Sequence, residues 1–181
     1  MSIHPKQRRL TPGIVAWAVL PCAGAAALGV MLPQPSLLWN RSPSEPTGLY
    51  IRSVLAPAKG RIVAFRAPDT AFPYADRRMG YLRRIPILKE IAAGEGDLVC
   101  ARKDGLSING QWRAPVFARD PRGAALPQWG GCRTLGSGEF FVFSSRIANS
   151  FDSRYFGPVT TAQIMGVFEP FVVGVDGAGA V

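Results

Sequence analysis

Ser42 and Ser44 stand two residues apart in the stretch Asn40-Arg-Ser42-Pro-Ser44-Glu-Pro46-Thr-Gly48-Leu-Tyr50. In an extended chain alternate side chains share a face, so the two hydroxyls would point the same way. Pro43 and Pro46 stiffen the segment, and Pro46 restricts Glu45 to extended geometry. One hydroxyl can attack a carbonyl while its neighbour donates to the resulting oxyanion. A plain Ser/Pro linker has the same composition.

Lys89 lies in Arg84-Ile-Pro-Ile-Leu-Lys89-Glu-Ile-Ala-Ala-Gly-Glu-Gly-Asp97. A lysine is a general base only when its amine is neutral, and burial in apolar surroundings lowers its ordinary pKa of about 10.4. Ile85, Ile87, Leu88 and Ile91 are the expected apolar neighbours. Glu90 would favour the charged amine, but on a strand it faces the other way. The competing reading is a strand-end lysine with its head in solvent.

The third stretch is Asn149-Ser150-Phe-Asp152-Ser153-Arg154-Tyr155-Phe-Gly157-Pro-Val159. Asp152 and Arg154 can pair across one strand face or a turn. Ser150 shares the parity of Asp152 and could hydrogen-bond a neighbouring amine. As a bare pattern it is a polar turn before a strand.

Composition removes the common alternatives. The 181 residues contain one histidine, His4, inside a basic N-terminal segment. No histidine remains for a Ser-His-Asp triad, a Cys-His pair or a His-based zinc site. Three cysteines without a close C-x-x-C pair form no zinc knuckle or thioredoxin-type motif. No metal and no cofactor is expected, and the proton carrier of an enzyme must be Lys, Asp, Glu or Tyr. The formal charge is +9, with Arg77, Arg78, Arg83 and Arg84 the densest group. There is no RNA-binding aromatic motif, finger or basic helix. No nucleic-acid partner is expected; an anionic lipid bilayer suits the charge better.

The elements that must position these residues begin at a membrane. Residues 1–12 carry Lys6, Arg8 and Arg9 and no acid, and residues 13–32 carry no charge. Twenty helical residues span about 30 Å, the thickness of a bilayer core. The segment reads as an uncleaved transmembrane signal anchor with residues 1–12 cytoplasmic. A cleaved signal peptide ending near Ala27-Leu28-Gly29 is the competing reading. Either way the chain beyond Leu32 is exported. Cys22 falls in the apolar segment, whereas Cys100 and Cys132 share the exported part. An oxidising compartment then favours a Cys100–Cys132 disulfide over two separate buried thiols.

The exported part, residues 33–173, reads as mostly β. Met31 to Pro46 is proline-rich and reads as an extended stalk leading out of the bilayer. Strands are expected over Gly48–Val54, Arg61–Arg66, Asp97–Arg102, Glu139–Ser144 and Gln163–Val173. A short helix at Thr160-Thr161 could open the last of these. Asp104-Gly105 and Asn109-Gly110 are hairpin dipeptides flanking Leu106–Ile108, and Gly94–Asp97 is a further turn. Outside the membrane segment nothing holds a helical period for three turns. There is no internal repeat, and residues 174–181 form a Gly/Ala-rich tail expected to be flexible.

Taken in order, these stretches resemble the signal peptidase I family of membrane-anchored serine proteases. That family carries an N-terminal anchor, a Ser-x-Ser motif just past the membrane, a lysine followed by a Gly-x-x-Gly-Asp-like turn, and a stretch close to Asn-Ser-x-Asp-Ser-Arg-Tyr-x-Gly. Ser42/Ser44, Lys89 with Gly94–Asp97, and Asn149–Gly157 match in sequence order, over roughly residues 13 to 173. The last match is the most specific. The form of residues 40–50, Pro127-Gln-Trp129-Gly-Gly-Cys132 and Asp152–Pro158 resemble the conjugative-transfer branch of the family. Only about sixty residues separate Lys89 from Asp152, leaving no room for the large second domain of some bacterial signal peptidases. Two departures bear on specificity: Glu45 replaces a usual Met and Pro43 a common Gly.

The resemblance implies a mostly β, antiparallel catalytic domain behind one N-terminal transmembrane helix. It implies Ser44 as nucleophile, Lys89 as general base, and the Ser42 hydroxyl with the Ser44 N–H as oxyanion hole. Ser150 would orient the Lys89 amine, and Asp152 and Arg154 would hold the framework. It further implies a bacterial inner-membrane protein with one span and a periplasmic catalytic domain. The substrate would be a membrane-inserted protein, a conjugative pilin precursor, with the product released either linear or cyclised. A general signal peptidase acting on exported preproteins, and a non-enzymatic envelope protein with this fold, are the other readings.

Overall fold

A computed structural model describes residues 35–174. The expected anchor at 13–32, the leader at 1–12 and nearly all of the tail lie outside the described residues. Among those described, no helix is long and apolar enough to cross a membrane.

Two antiparallel sheets carry the fold. The larger joins β1 (Leu37–Asn40), β2 (Gly48–Ser53), β3 (Ile62–Phe65), β4 (Ile87–Ala93), β9 (Glu139–Val142), β10 (Val159–Thr160) and β11 (Ile164–Val173), in the order β1-β2-β11-β3-β4-β9-β10. The smaller joins β5 (Leu98–Arg102), β6 (Gly105–Ile108), β7 (Gln111–Ala114) and β8 (Cys132–Thr134), in the order β7-β6-β5-β8. β4 is the strand on which the core turns. Its Ile87 and Ile91 pack with Val63, Phe65, Val142 and Val167. Its Leu88 lies on the other face with Tyr50, Ala64 and Phe168. A bulge between Ile91 and Ala93 breaks the alternation. Ala92 and Ala93 can therefore both join a third cluster with Val99, Leu106 and Phe141.

The five expected strands all form, trimmed by one or two residues at their ends. A short 3-10 helix at Thr161–Gln163 does precede β11. Asn109 and Gly110 have φ of 51° and 78°, the left-handed pair that a two-residue turn between β6 and β7 requires. The stalk reading needs correction. Leu37–Asn40 is not free spacer but the edge strand β1, paired with β2 in the register Leu38↔Tyr50 and Asn40↔Gly48. Its prolines flank the pairing without interrupting it, and Leu38 packs against the Tyr50 cluster. Strands β4, β7, β8 and β10 were absent from the expected set. The helices Tyr74–Arg78 and Ser153–Phe156 are too short to show a helical period.

Cys100 and Cys132 face each other in register on β5 and β8 and form a disulfide. All three residues of β8 are exposed, so it contributes little buried surface to hold it in place. Closing this loop stabilises the fold by about 3–4 kcal/mol in the chain-entropy picture. Reduction, or Cys100→Ser with Cys132→Ser, is expected to lower the denaturant midpoint accordingly. Equal midpoints with and without reductant would contradict that expectation.

Candidate active site

The loop between β1 and β2 is built around one side chain. Asn40 ends β1, and its Nδ2 donates to the carbonyls of Ser42, Glu45 and Pro46 at 2.9, 3.0 and 3.0 Å. Its Oδ1 accepts the Ser42 N–H at 3.0 Å. The Tyr50 hydroxyl donates to the Pro46 carbonyl at 2.7 Å. Gly48 closes the loop at φ 138°, where a Cβ would lie 2.2 Å from the Val172 carbonyl oxygen. Only glycine fits there.

Ser42 and Ser44 are brought together by this loop, with their Oγ atoms 2.9 Å apart. The cause differs from the extended geometry expected, because Pro43 and Ser44 form a turn. The Ser44 N–H reaches the Ser42 Oγ only at 3.4 Å and is thus barely engaged. Ser44 is 2% exposed and Ser42 is exposed.

Lys89 sits in the middle of β4 opposite Val63 and is 4% exposed. Its Nζ donates to the Ser44 Oγ. Burial lowers its pKa from the ordinary 10.5; Asp152 and Glu45 push it back up, and Arg154 lowers it further. Two of the four expected apolar neighbours, Ile87 and Ile91, flank it on the same face. Leu88 lies on the opposite face, and Ile85 is 55% exposed before the strand begins. Glu90 is exposed on the opposite face, as its parity required.

Asp152 and Arg154 form an ion pair of 2.8 Å with both side chains wholly buried. The pair forms at the start of the Ser153–Phe156 helix, where Asp152 also caps the Arg154 N–H at 3.3 Å. The Arg154 Nη2 donates to the Ser150 carbonyl at 2.9 Å. The Ser150 Oγ is buried without a hydrogen-bond partner among the described residues. The Lys89 amine is thus bonded to Ser44 and not to Ser150.

Three contributors escaped the sequence reading. Ser144, 3% exposed at the end of the β9 run, donates its hydroxyl to the Ser44 carbonyl. Its N–H leans on Asp152 Oδ2 at 3.5 Å, so one residue links the Ser44 turn to the buried pair. Asn40 was visible only as part of a motif. Glu45 was read at the substrate edge but is 4% exposed, with its Oε1 accepting the Glu90 N–H at 3.1 Å. Burial pushes its carboxyl up to about 7. No local signal distinguishes Ser144 from any other serine after an apolar strand. The Pro127–Cys132 stretch also gains a physical role. Gly157 has φ 84°, and a Cβ there would be 2.7 Å from the Trp129 ring, which packs against Phe141 at 5.6 Å between centroids.

A buried lysine on a serine hydroxyl, beside a second hydroxyl, can deprotonate the serine and stabilise an oxyanion. The described residues contain no cluster of His, Cys, Asp and Glu able to hold a metal ion. The family model described as signal peptidase, peptidase S26, matches residues 13–172. The plasmid transfer protein TraF of Escherichia coli is 31% identical over 179 residues, covering 91% of this chain and 96% of its own length. The conjugal transfer protein TraF of Agrobacterium tumefaciens (strain 15955) is 34% identical over 143 residues, covering 72% and 79%. Among solved structures, a signal peptidase I from Enterococcus faecalis V583 is 24% identical, with TM-score 0.39 over 64% of this chain and 98% of that one. With the match spanning nearly all of the sequence, this chain belongs to the signal peptidase family, peptidase S26.

Proposed function

We propose that the protein is a membrane-anchored Ser-Lys endopeptidase that processes a conjugative pilin precursor at the periplasmic face of the inner membrane. The buried Lys89 amine on the Ser44 Oγ carries the reading. Neutral Lys89 takes the proton as Ser44 attacks the scissile carbonyl. The oxyanion accepts from the Ser44 N–H and the Ser42 hydroxyl. The Lys89 ammonium then protonates the departing amine, leaving an acyl-enzyme on Ser44. Because a neutral base is required, the rate rises with pH through the lowered Lys89 pKa.

The TraF relatives, named for plasmid and conjugal transfer, support a pilin over general preproteins. Leu37 and Trp39 on β1 and Ile51 on β2 share an exposed apolar face, which supports work at a bilayer. The acyl-enzyme can pass to water or to the substrate's own N-terminal amine if that amine is held close. Mass spectrometry of the product separates the two fates, since a ring lacks one water relative to the cleaved linear peptide. A cyclic mass is expected with a pilin precursor; only the linear mass would overturn cyclisation. Processing of a panel of secreted preproteins instead would favour a general signal peptidase. Processing that survives Ser44→Ala would remove the enzyme reading altogether.

A further inference from the structure

Glu45 and Glu90 each follow a member of the dyad in sequence. Glu45 comes directly after Ser44 and Glu90 directly after Lys89. The Glu45 carboxyl is buried in the turn and accepts the backbone N–H of Glu90 at 3.1 Å. This bond spans 45 residues and joins the loop after β1 to the middle of β4. The turn is held from its other sides by Asn40 and by the Ser144 hydroxyl on the Ser44 carbonyl. Neither of those bonds reaches β4. Resting on the dyad reading above, we propose that Glu45 is a positioning residue that fastens the Ser44 turn to the Lys89 strand through the Glu90 N–H.

The clamp has an electrostatic cost for the reaction. The groups acting on Glu45 are Lys89 and Glu90 from β4 and Arg146 from the segment after β9. Asp152 and Arg154 act on Lys89 from the segment around the Ser153–Phe156 helix. An ionised Glu45 favours the ammonium form of Lys89, the form that cannot accept a proton from Ser44. A protonated Glu45 does not, so the pair shares a titration and the base becomes fully available only at higher pH. A glutamine at this position keeps the acceptor oxygen and removes the charge. A leucine removes both. The two substitutions therefore separate clamping from charge.

The test uses the full-length protein in detergent micelles. The acylation burst with p-nitrophenyl acetate is followed from pH 6 to 10. In this step the Ser44 Oγ attacks the ester carbonyl, its proton goes to Lys89, and p-nitrophenolate leaves. In parallel, the ε-carbon signals of 13C-labelled lysine are titrated; there are four lysines in the chain, and Lys89→Arg assigns the one that matters. Glu45→Gln is expected to move both the burst profile and the Lys89 titration down by about one pH unit, the effect of removing one partly buried neighbouring charge. Glu45→Leu is expected to move the Lys89 titration similarly but to cut the burst rate roughly tenfold or more across the whole range, because misplacement by about 1 Å costs that much or more. Unchanged Lys89 titration in Glu45→Gln, or a full burst rate in Glu45→Leu, would overturn the proposal. Ser44→Ala keeps the two failures apart. A burst that persists in that variant sinks the dyad reading itself, and a lost burst with unaffected Glu45 variants sinks only the clamp.

Discussion

Lys89→Met is expected to abolish processing while leaving the protein at least as stable as the wild type. The chemical part follows from the site. Among the described residues Lys89 is the one basic group bonded to the Ser44 Oγ, and its removal leaves the hydroxyl bonded to the Ser42 hydroxyl at 2.9 Å. A serine without its base loses about a thousandfold or more in rate. The stability part follows from burial. Lys89 is 4% exposed, and Asp152, the acid that acts on it most strongly, is already engaged by Arg154. A methionine fills a similar unbranched volume and brings no charge to desolvate. The sign of the pH dependence can be worked out. Folding depresses the lysine pKa below 10.5, so between the two values the unfolded chain binds more protons. Wild-type stability therefore gains a rise with pH across that window, and the methionine variant lacks that contribution. Thermal melts at pH 7 and pH 10, alongside a processing assay, check both halves. A variant that still processes substrate, or that loses the fold together with activity, would contradict the assignment of Lys89 as a base. Sites selected for chemistry at the expense of stability behave in this way.

What was legible in the sequence was local. Alternating apolar residues marked β2, β3, β5, β9 and β11, and Asn109-Gly110 marked its hairpin, because these signals lie within a few residues. Candidates for the proposed dyad could be named as well: with no histidine beyond His4 the proton carrier had to be Lys, Asp, Glu or Tyr, and the resemblance to signal peptidase I singled out Ser44 and Lys89. The geometry was not. The Ser44–Lys89 bond spans 45 residues and the Ser144–Ser44 bond spans 100. Neither separation leaves a trace in local pattern. Ser42 and Ser44 were rightly paired but for the wrong reason, since the Asn40 side chain bends the segment that Pro43 and Pro46 were expected to extend. Leu37–Asn40 looked like spacer because four prolines surround it, and its strand character appears only once β2 is beside it. Lys89 was expected among four apolar neighbours along the chain. Ile87 and Ile91 alone of these share its face; Val63 of β3 lies opposite it in register, and Ser44, 45 residues away in sequence, meets its amine.

Arg154→Met is expected to be the most destabilising single change in this site. A guanidinium has five N–H donors, and Arg154 makes five side-chain hydrogen bonds. Nε and Nη2 fork onto the two Asp152 oxygens at 2.8 and 3.0 Å. Nη1 reaches the Pro115 and Ala148 carbonyls at 2.8 and 3.3 Å, and Nη2 also reaches the Ser150 carbonyl at 2.9 Å. The Phe143 and Tyr155 rings flank the planar group at 5.0 and 5.4 Å. Two stretches of backbone that share no strand, at Pro115 and at 148–150, are thus tied to one side chain. Its loss leaves Asp152 charged, fully buried and without its partner, which costs about 3–5 kcal/mol. For a fold of this size that is a fall of about 10 °C or more in melting temperature. Arg154→Lys is expected to recover little, because an ammonium has three donors and no planar fork. Asp152→Leu combined with Arg154→Met removes the stranded charge and should be more stable than Arg154→Met alone, while the three carbonyls still lack their donors. A double variant no better than the single one would mean that those carbonyl bonds, and not the charge, hold this part of the fold. The effect reaches the dyad as well. Arg154 lowers the Lys89 pKa and Asp152 raises it, so removing only the arginine leaves the lysine more firmly protonated. Whatever Arg154→Met protein folds should work only at higher pH than the wild type, and an unshifted pH profile would show that the pair acts on the scaffold alone.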